Sequence, residues 1–222
     1  MDSFENDAPY HRCDYRCDSC IHTRTCKLYL QEFQQTDPPS AEEPEPIIRQ
    51  RMLLDVKQSL VETLRSLQMK AQKLGLNLME LTRETAEFCP APDSFDVYNL
   101  ACQFTEKAHH FLAEYWQAEP SLEEIEHLKI ELDDLNWYHS LVSVKVVRAL
   151  ISQWDGDAIG FQDTKNSAEV ALRSLRFCRL ALGNIIEREP AYFDWLIDLI
   201  LLANKIEAEI FKQFRYELKD NG

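Results

Sequence analysis

From Ile47 onward, apolar residues recur every three or four positions. Leu53, Val56, Leu60, Leu64, Leu67, Ala71, Leu74, Leu78 and Leu81 fall on one face of a long helix, with Gly75 a candidate bend and CPAP at 89–92 its stop. A second helix is predicted over Ser94–Gln117, with Phe95, Tyr98, Cys102, Thr105, Leu112 and Trp116 facing inward. The third opens with SLEE, in which Ser121 and Glu124 form a capping box. Its stripe of Ile125, Leu128, Leu132, Leu135, His139, Val142, Val146 and Ala149 alternates steps of three and four, as in a helix packed almost parallel to its neighbours. WDGDAIGFQD interrupts it near residue 155. A fourth helix carries Val170, Ala171, Leu175, Cys178, Ala181 and Ile185. The fifth starts at Pro190 and is apolar over a wide arc (Phe193, Leu196, Ile197, Ile200, Leu201, Phe211, Phe214), which predicts a central position. The expected fold is all-α: an antiparallel bundle of about five helices over 47–222.

The N-terminal part follows no such period. Residues 1–30 form a cysteine-rich head. Residues 31–46 include QQTDPPSAEEPEP, whose four prolines and four acidic side chains suit an extended linker. Five glycines in 222 residues argue against a β-rich fold with many tight turns, and no internal repeat suggests a solenoid.

Composition narrows function. A hydrophobic content of 45% suits a folded chain, and a net charge of −14 argues against a broad phosphate-binding surface, so nucleic acid is not the expected partner. MDSFENDAPY has neither the basic start nor the apolar core of a secretory signal, and the longest apolar run, LILLA at 199–203, is too short to span a membrane. A soluble, cytoplasmic protein is expected. In that reducing setting seven cysteines favour metal binding or free thiols over disulfides.

Four of those cysteines lie in HRCDYRCDSCIHTRTC, residues 11–26, with spacing C-x3-C-x2-C-x5-C at Cys13, Cys17, Cys20 and Cys26. The segment has almost no aliphatic residues among which to bury a thiol, so ordinary core cysteines are a poor account of it. Four thiolates from one short loop can surround a tetrahedral Zn²⁺ or the corner irons of a cubane. Structural zinc sites commonly use two pairs separated by a longer stretch, so the compact spacing favours an iron–sulfur (4Fe–4S) cluster, with zinc the alternative. His11 and His22 are alternative nitrogen ligands for zinc. Arg12, Arg16, Arg24 and Lys27 make the head locally basic, which offsets the net charge of about −2 of a four-thiolate centre.

The C-x2-C-x5-C spacing of Cys17, Cys20 and Cys26 resembles the iron–sulfur loop of the endonuclease-type DNA glycosylases over about ten residues. The first gap is shorter than in that family and its helix-hairpin-helix glycine motif is absent, so the resemblance implies a cluster loop and nothing about base excision. Cys13, Cys17 and Cys20 also match the C-x3-C-x2-C spacing of radical S-adenosylmethionine enzymes. Here Ser19 stands where that family usually has an aromatic residue, Cys26 is available to close the fourth position, and the rest of the chain is helical rather than α/β.

The bundle holds a second candidate. Two E-x-x-H units, Glu106 with His109 and Glu124 with His127, each place a carboxylate and an imidazole on one helical face, as in di-iron carboxylate bundles. If the second and third helices fold back at Glu119–Pro120, Glu106 stands level with Glu131 and His109 or His110 with His127, a polar layer of metal-ligand type. The remaining helices supply Glu169, Glu207 and Glu209 but no histidine. His139 lies in the third helix's apolar stripe and reads as a hydrogen-bonded core histidine. Lys145 and Arg148 are expected to meet Asp194 or Asp198. The reading is a metal-binding protein with a four-cysteine head on a helical scaffold that docks a protein partner, serving electron transfer, sensing or assembly. The alternative is an oxidoreductase-like enzyme with a carboxylate and histidine site inside the bundle.

Overall fold

The computed structural model describes residues 12–17, 20–27, 29–30, 61, 64–65, 67–73, 75 and 90–219. Among them every regular element is helical. The linker assigned to 31–46 and most of the helix predicted from 47 lie outside the described residues. The chain divides into two compact units: residues 12–17 and 20 belong with 90–219, and the described residues from 21 to 75 form the other.

In the larger unit, a 3₁₀ turn at Pro92–Ser94 leads into α1 (Asp96–Gln117), followed by α2 (Leu122–Asp155), α3 (Ala158–Arg188), α4 (Phe193–Gln213) and the short α5 (Arg215–Lys219). At 34 and 31 residues, α2 and α3 are each roughly 45–50 Å long at about 1.5 Å per residue. They pack along each other, α1 lies against α2 and α4, and α4 against α3. Ser152 meets Asp163, Ala149 meets Thr164 and Glu131 meets Asn184, so α2 and α3 run antiparallel.

Local chemistry sets the boundaries. Ser121 and Glu124 form the reciprocal capping box, Ser121 N–H donating to Glu124 Oε2 at 2.6 Å and Glu124 N–H to Ser121 Oγ at 3.2 Å. Gly156 takes the left-handed conformation, φ +66°, that closes α2, and Asp157 Oδ1 accepts from Gly160 N–H at 2.6 Å to open α3. The interruption expected around 155 is therefore two residues long. A Cβ on Gly160 would lie 2.5 Å from the Ser152 carbonyl oxygen, so this helical position takes glycine to let the two helices meet closely.

The core joins Phe104 and Phe111 of α1, Leu128 and Leu135 of α2, Leu175, Leu182 and Ile185 of α3, and Leu196, Leu199 and Ile206 of α4, all fully buried. Each such side chain contributes about 1.5–3 kcal/mol relative to exposure. The third helix's predicted stripe is the buried face of α2 from Leu128 onward. Two faces differ from expectation. On α1 the buried set is Val97, Ala101, Phe104, Ala108, Phe111, Leu112 and Tyr115, while Cys102 and Thr105 sit at its margin and Trp116 is exposed. Helix α4 is not central: Phe193, Leu201 and Phe211 are about half exposed, because only the face carrying Leu196, Leu199, Ala203, Ile206 and Ile210 meets the core. No described helix is long and apolar enough to cross a membrane.

In the other unit, residues 67–73 are helical and Gly75, at φ +68°, ends the run with its N–H on Gln72 O at 3.1 Å. Ala71 of the predicted stripe is buried, whereas Leu64 and Leu67 are exposed.

Candidate metal centre

Residues 12–17 lie along α2 and α3. Arg12 Nε donates to Asn166 Oδ1 at 3.0 Å, and Arg173 Nη2 donates to the Arg12 carbonyl at 2.8 Å. The Asp14 carbonyl accepts from Trp137 Nε1 at 3.0 Å, its carboxylate accepts from the Tyr138 hydroxyl at 3.2 Å, and Arg16 pairs with Asp134. The Arg16 guanidinium also stands 5.6 Å from the centre of the Tyr138 ring, which stacks on Phe177 at 4.7 Å. Burial opposes the Arg16 charge, but Asp134 and Tyr138 more than compensate and raise its pKa. A segment almost without aliphatic residues is thus held by polar contacts to two rigid helices.

Within that segment the backbone turns around sulfur. Tyr15 N–H donates to Cys13 Sγ at 3.1 Å, Cys17 N–H to Tyr15 O at 3.0 Å, and Cys20 N–H to Cys17 O at 3.3 Å. Tyr15 itself has φ +60°, a left-handed conformation that a bulky residue holds only where its surroundings impose it. Cys13, Cys17 and Cys20 are half-buried. Cys26, in the other unit, is 6% exposed; its N–H donates to His22 O at 2.8 Å and its carbonyl accepts from Leu30 at 3.0 Å. Among the described residues no group of three or more His, Cys, Asp or Glu side chains converges as a metal-ion site.

Lys145 stands beneath the loop. It is 4% exposed, and its ammonium lies 5.0 Å from the centre of the Tyr15 ring. Burial lowers its pKa and Arg148 lowers it further, while Cys13 and Asp163 act in the opposite sense. The expected partners on α4 are not the ones used: Arg148 forms a two-pronged pair with Asp163 of α3. Lys145 lies against the Tyr15 ring instead.

The bundle residues fall into two places. Thr105 Oγ1 lies within hydrogen-bond distance of His139 O at 3.0 Å and Ser143 Oγ at 3.1 Å, which sets α1 about two turns, roughly 10–12 Å, further along α2 than a hairpin folded at Glu119 suggests. Glu106 and His109 consequently stand level with the His139 region; the His109 and His139 rings stack at 6.2 Å. At the other end, Arg188 pairs with Glu131 at 3.2 Å and donates to the His127 carbonyl at 2.6 Å, and Asn184 adds a hydrogen bond to Glu131 at 3.2 Å. Glu106, His109 and His127 are exposed, and Glu131 is buried against α3. His139 Nδ1 is 2.9 Å from Leu135 O, the contact of a core histidine, and burial lowers its pKa.

Comparison with protein-family models, with curated proteins and with solved structures finds no match to this chain.

Sequence reasoning passed over Asp134, Trp137, Tyr138, Asn166 and Arg173, which seat the loop. They occupy flank positions beside the apolar stripes, where polar residues ordinarily face water. One signal was present: Lys145 lies directly before the core residue Val146 and three after Val142, a place where a lysine needs a partner.

Proposed function

We propose that this is a metal-binding protein whose N-terminal loop holds an iron–sulfur cluster, with zinc the alternative, through Cys13, Cys17 and Cys20, and through Cys26 as fourth ligand by its spacing in the sequence. The observation that carries the reading is the Tyr15 N–H donating to Cys13 Sγ at 3.1 Å inside a C-x3-C-x2-C turn. Backbone N–H groups directed at sulfur stabilise thiolate over thiol and tune the centre the thiolates hold. A bound cluster of this kind supplies one-electron transfer or a redox- and oxygen-sensitive state. The helices give the loop a rigid seat through Asn166, Arg173, Asp134, Trp137 and Tyr138, and that seat suits a protein that presents its centre to a protein partner for electron transfer, sensing or assembly. Glu131 is engaged by Arg188 and Asn184, and no comparable observation among the described residues supports a catalytic site within the bundle.

The test is anaerobic purification with iron, sulfide and zinc analysis. About four irons with matching sulfide per chain are expected, lost in Cys17→Ser and Cys20→Ser while helical circular dichroism is retained. One zinc per chain lost in the same variants selects the zinc form. Full metal content in both variants removes the proposal.

A further inference from the structure

We propose that the outer face of α2 is a dimerisation seam, on which a second copy of this chain lies antiparallel through Ile130, Trp137, Val144 and Ile151. These four residues recur every seven positions and are 42–72% exposed. Each follows by two positions a fully buried residue of the same helix, Leu128, Leu135, Val142 or Ala149. Two residues turn an α-helix by about 200°, so the outer stripe lies directly opposite the core. A helix with one packed face carries polar residues there. An apolar repeat of seven instead matches a neighbouring helix that runs almost parallel or antiparallel to α2, and α1 and α3 pack on its other sides.

Helix α2 complements itself. In a two-fold interface residue i of one copy meets j of the other and j meets i. With the axis between Ser140 and Leu141, Ile130 meets the partner subunit's Ile151, and the large Trp137 ring meets the smaller side chain of the partner subunit's Val144, each contact occurring twice. The same register brings Asp133 beside Arg148 of the partner subunit. Asp133 is exposed and makes no ion pair among the described residues. Arg148 uses Nε and Nη2 on Asp163 and remains half exposed, with Nη1 left for a second carboxylate. An in-register parallel pairing would set Asp133 against Asp133 and Arg148 against Arg148, so charge selects the antiparallel one. Glu126 falls opposite the partner's Asp155, and this like-charge pair ends the seam. Trp137 also donates from Nε1 to the Asp14 carbonyl at 3.0 Å, so the N-terminal segment of each copy borders the seam.

The experiment is sedimentation velocity of the full chain under reducing conditions, which exclude disulfide-linked species. The seam is one helix pair roughly 30 Å long, at the small end for a specific interface, so a monomer–dimer equilibrium with Kd of about 1–100 μM is expected. Val144→Glu places a carboxylate in the seam twice and should raise Kd about 100-fold with helical circular dichroism unchanged. A dimer that this variant leaves intact, or a chain monomeric throughout the range, overturns the proposal. Asp133→Asn should weaken the dimer about 3–10-fold; no change or tightening overturns the antiparallel register. Leu201→Ser, on the exposed face of α4, should leave Kd unchanged, and dissociation by it alone would put the contact on α4 and overturn the proposal. Should Val144→Glu lose helicity, Ile130→Glu, at the most exposed of the four positions, is read in the same way.

Discussion

Arg148 of α2 and Asp163 of α3 meet through two parallel hydrogen bonds, Nε to Oδ2 at 2.9 Å and Nη2 to Oδ1 at 2.8 Å, and the Ser152 hydroxyl donates to the same carboxylate at 2.6 Å. Burial pushes the Asp163 pKa up, but these donors outweigh it and hold the carboxyl below its usual value. Asp163→Asn is expected to destabilise the chain by about 1–2 kcal/mol at neutral pH, a figure kept low because Arg148 is half exposed. A carboxyl depressed in the folded state contributes stability above its unfolded pKa and loses it as pH falls through the folded one. The urea stabilities of the two proteins should therefore begin to approach each other near the usual aspartate value of about 3.9 and converge as pH falls through the lower folded one.

Two glycines of α3 give opposite expectations for one substitution. At Gly160 a new Cβ meets the Ser152 carbonyl at 2.5 Å, so Gly160→Ala should force α2 and α3 apart and cost about 1–3 kcal/mol. At Gly183 nothing lies within 4 Å, and Gly183→Ala should stabilise by about 0.5–1 kcal/mol through helix propensity. Thermal unfolding of the pair checks both.

These positions also mark where sequence was informative. The Ser121 capping box, the Gly156 terminus and the stripe from Leu128 to Ala149 follow from short-range rules, and the structure has all three. The inner face of α1 lies about one position from the predicted stripe, which is anchored on Cys102 and Trp116, whereas Phe104 and Phe111, about two turns apart on one face, set the buried side. Which helices neighbour one another depends on long-range packing, so Arg148 was directed toward α4 rather than Asp163, and Glu106 toward Glu131 rather than the His139 region. The cysteine spacing was legible. Its seat was not, since Trp137, Tyr138, Asn166 and Arg173 acquire their role only when residues 12–17 fold back over more than a hundred positions.

Removing residues 1–20 tests that seat. The core of α1 to α4 lies wholly beyond residue 95, so helical circular dichroism should persist. Losing the bonds to Trp137, Tyr138 and Asp134 is expected to lower stability by about 1–3 kcal/mol and shift tryptophan emission to the red. An unchanged midpoint and emission would show that the segment does not rest on the bundle in solution.

His139 predicts a loss of stability at mildly acidic pH. Burial lowers its folded pKa, the Leu135 carbonyl partly opposes this, and the stacked His109 adds repulsion once charged. The unfolded chain takes up the proton near pH 6.5, the folded chain only at lower pH, so stability falls as pH drops through 6.5 and levels off below the folded value. The slope should not exceed about 1.4 kcal/mol per pH unit for this group. His139→Leu should keep the fold and remove this part of the dependence, measured by urea titration between about pH 7 and 5.

Tyr115 carries the last expectation. Its side chain is 3% exposed, and its hydroxyl is buried without a hydrogen-bond partner among the described residues. Burial, then Glu189 and Glu124, raise the phenol pKa, so the group stays protonated and neutral through the physiological range. The ring is well used, packing on Trp116 at 5.6 Å, Tyr192 at 6.1 Å and Phe111 at 6.3 Å. Burying a hydroxyl without a partner costs about 1–3 kcal/mol, and phenylalanine keeps the ring while removing that cost. Tyr115→Phe should consequently be neutral or stabilising by up to about 1 kcal/mol. Tyr138→Phe is the control: it deletes the donor to Asp14 and should destabilise by about 1 kcal/mol. A Tyr115→Phe chain that unfolds as readily as Tyr138→Phe would mean the Tyr115 hydroxyl finds an acceptor in solution.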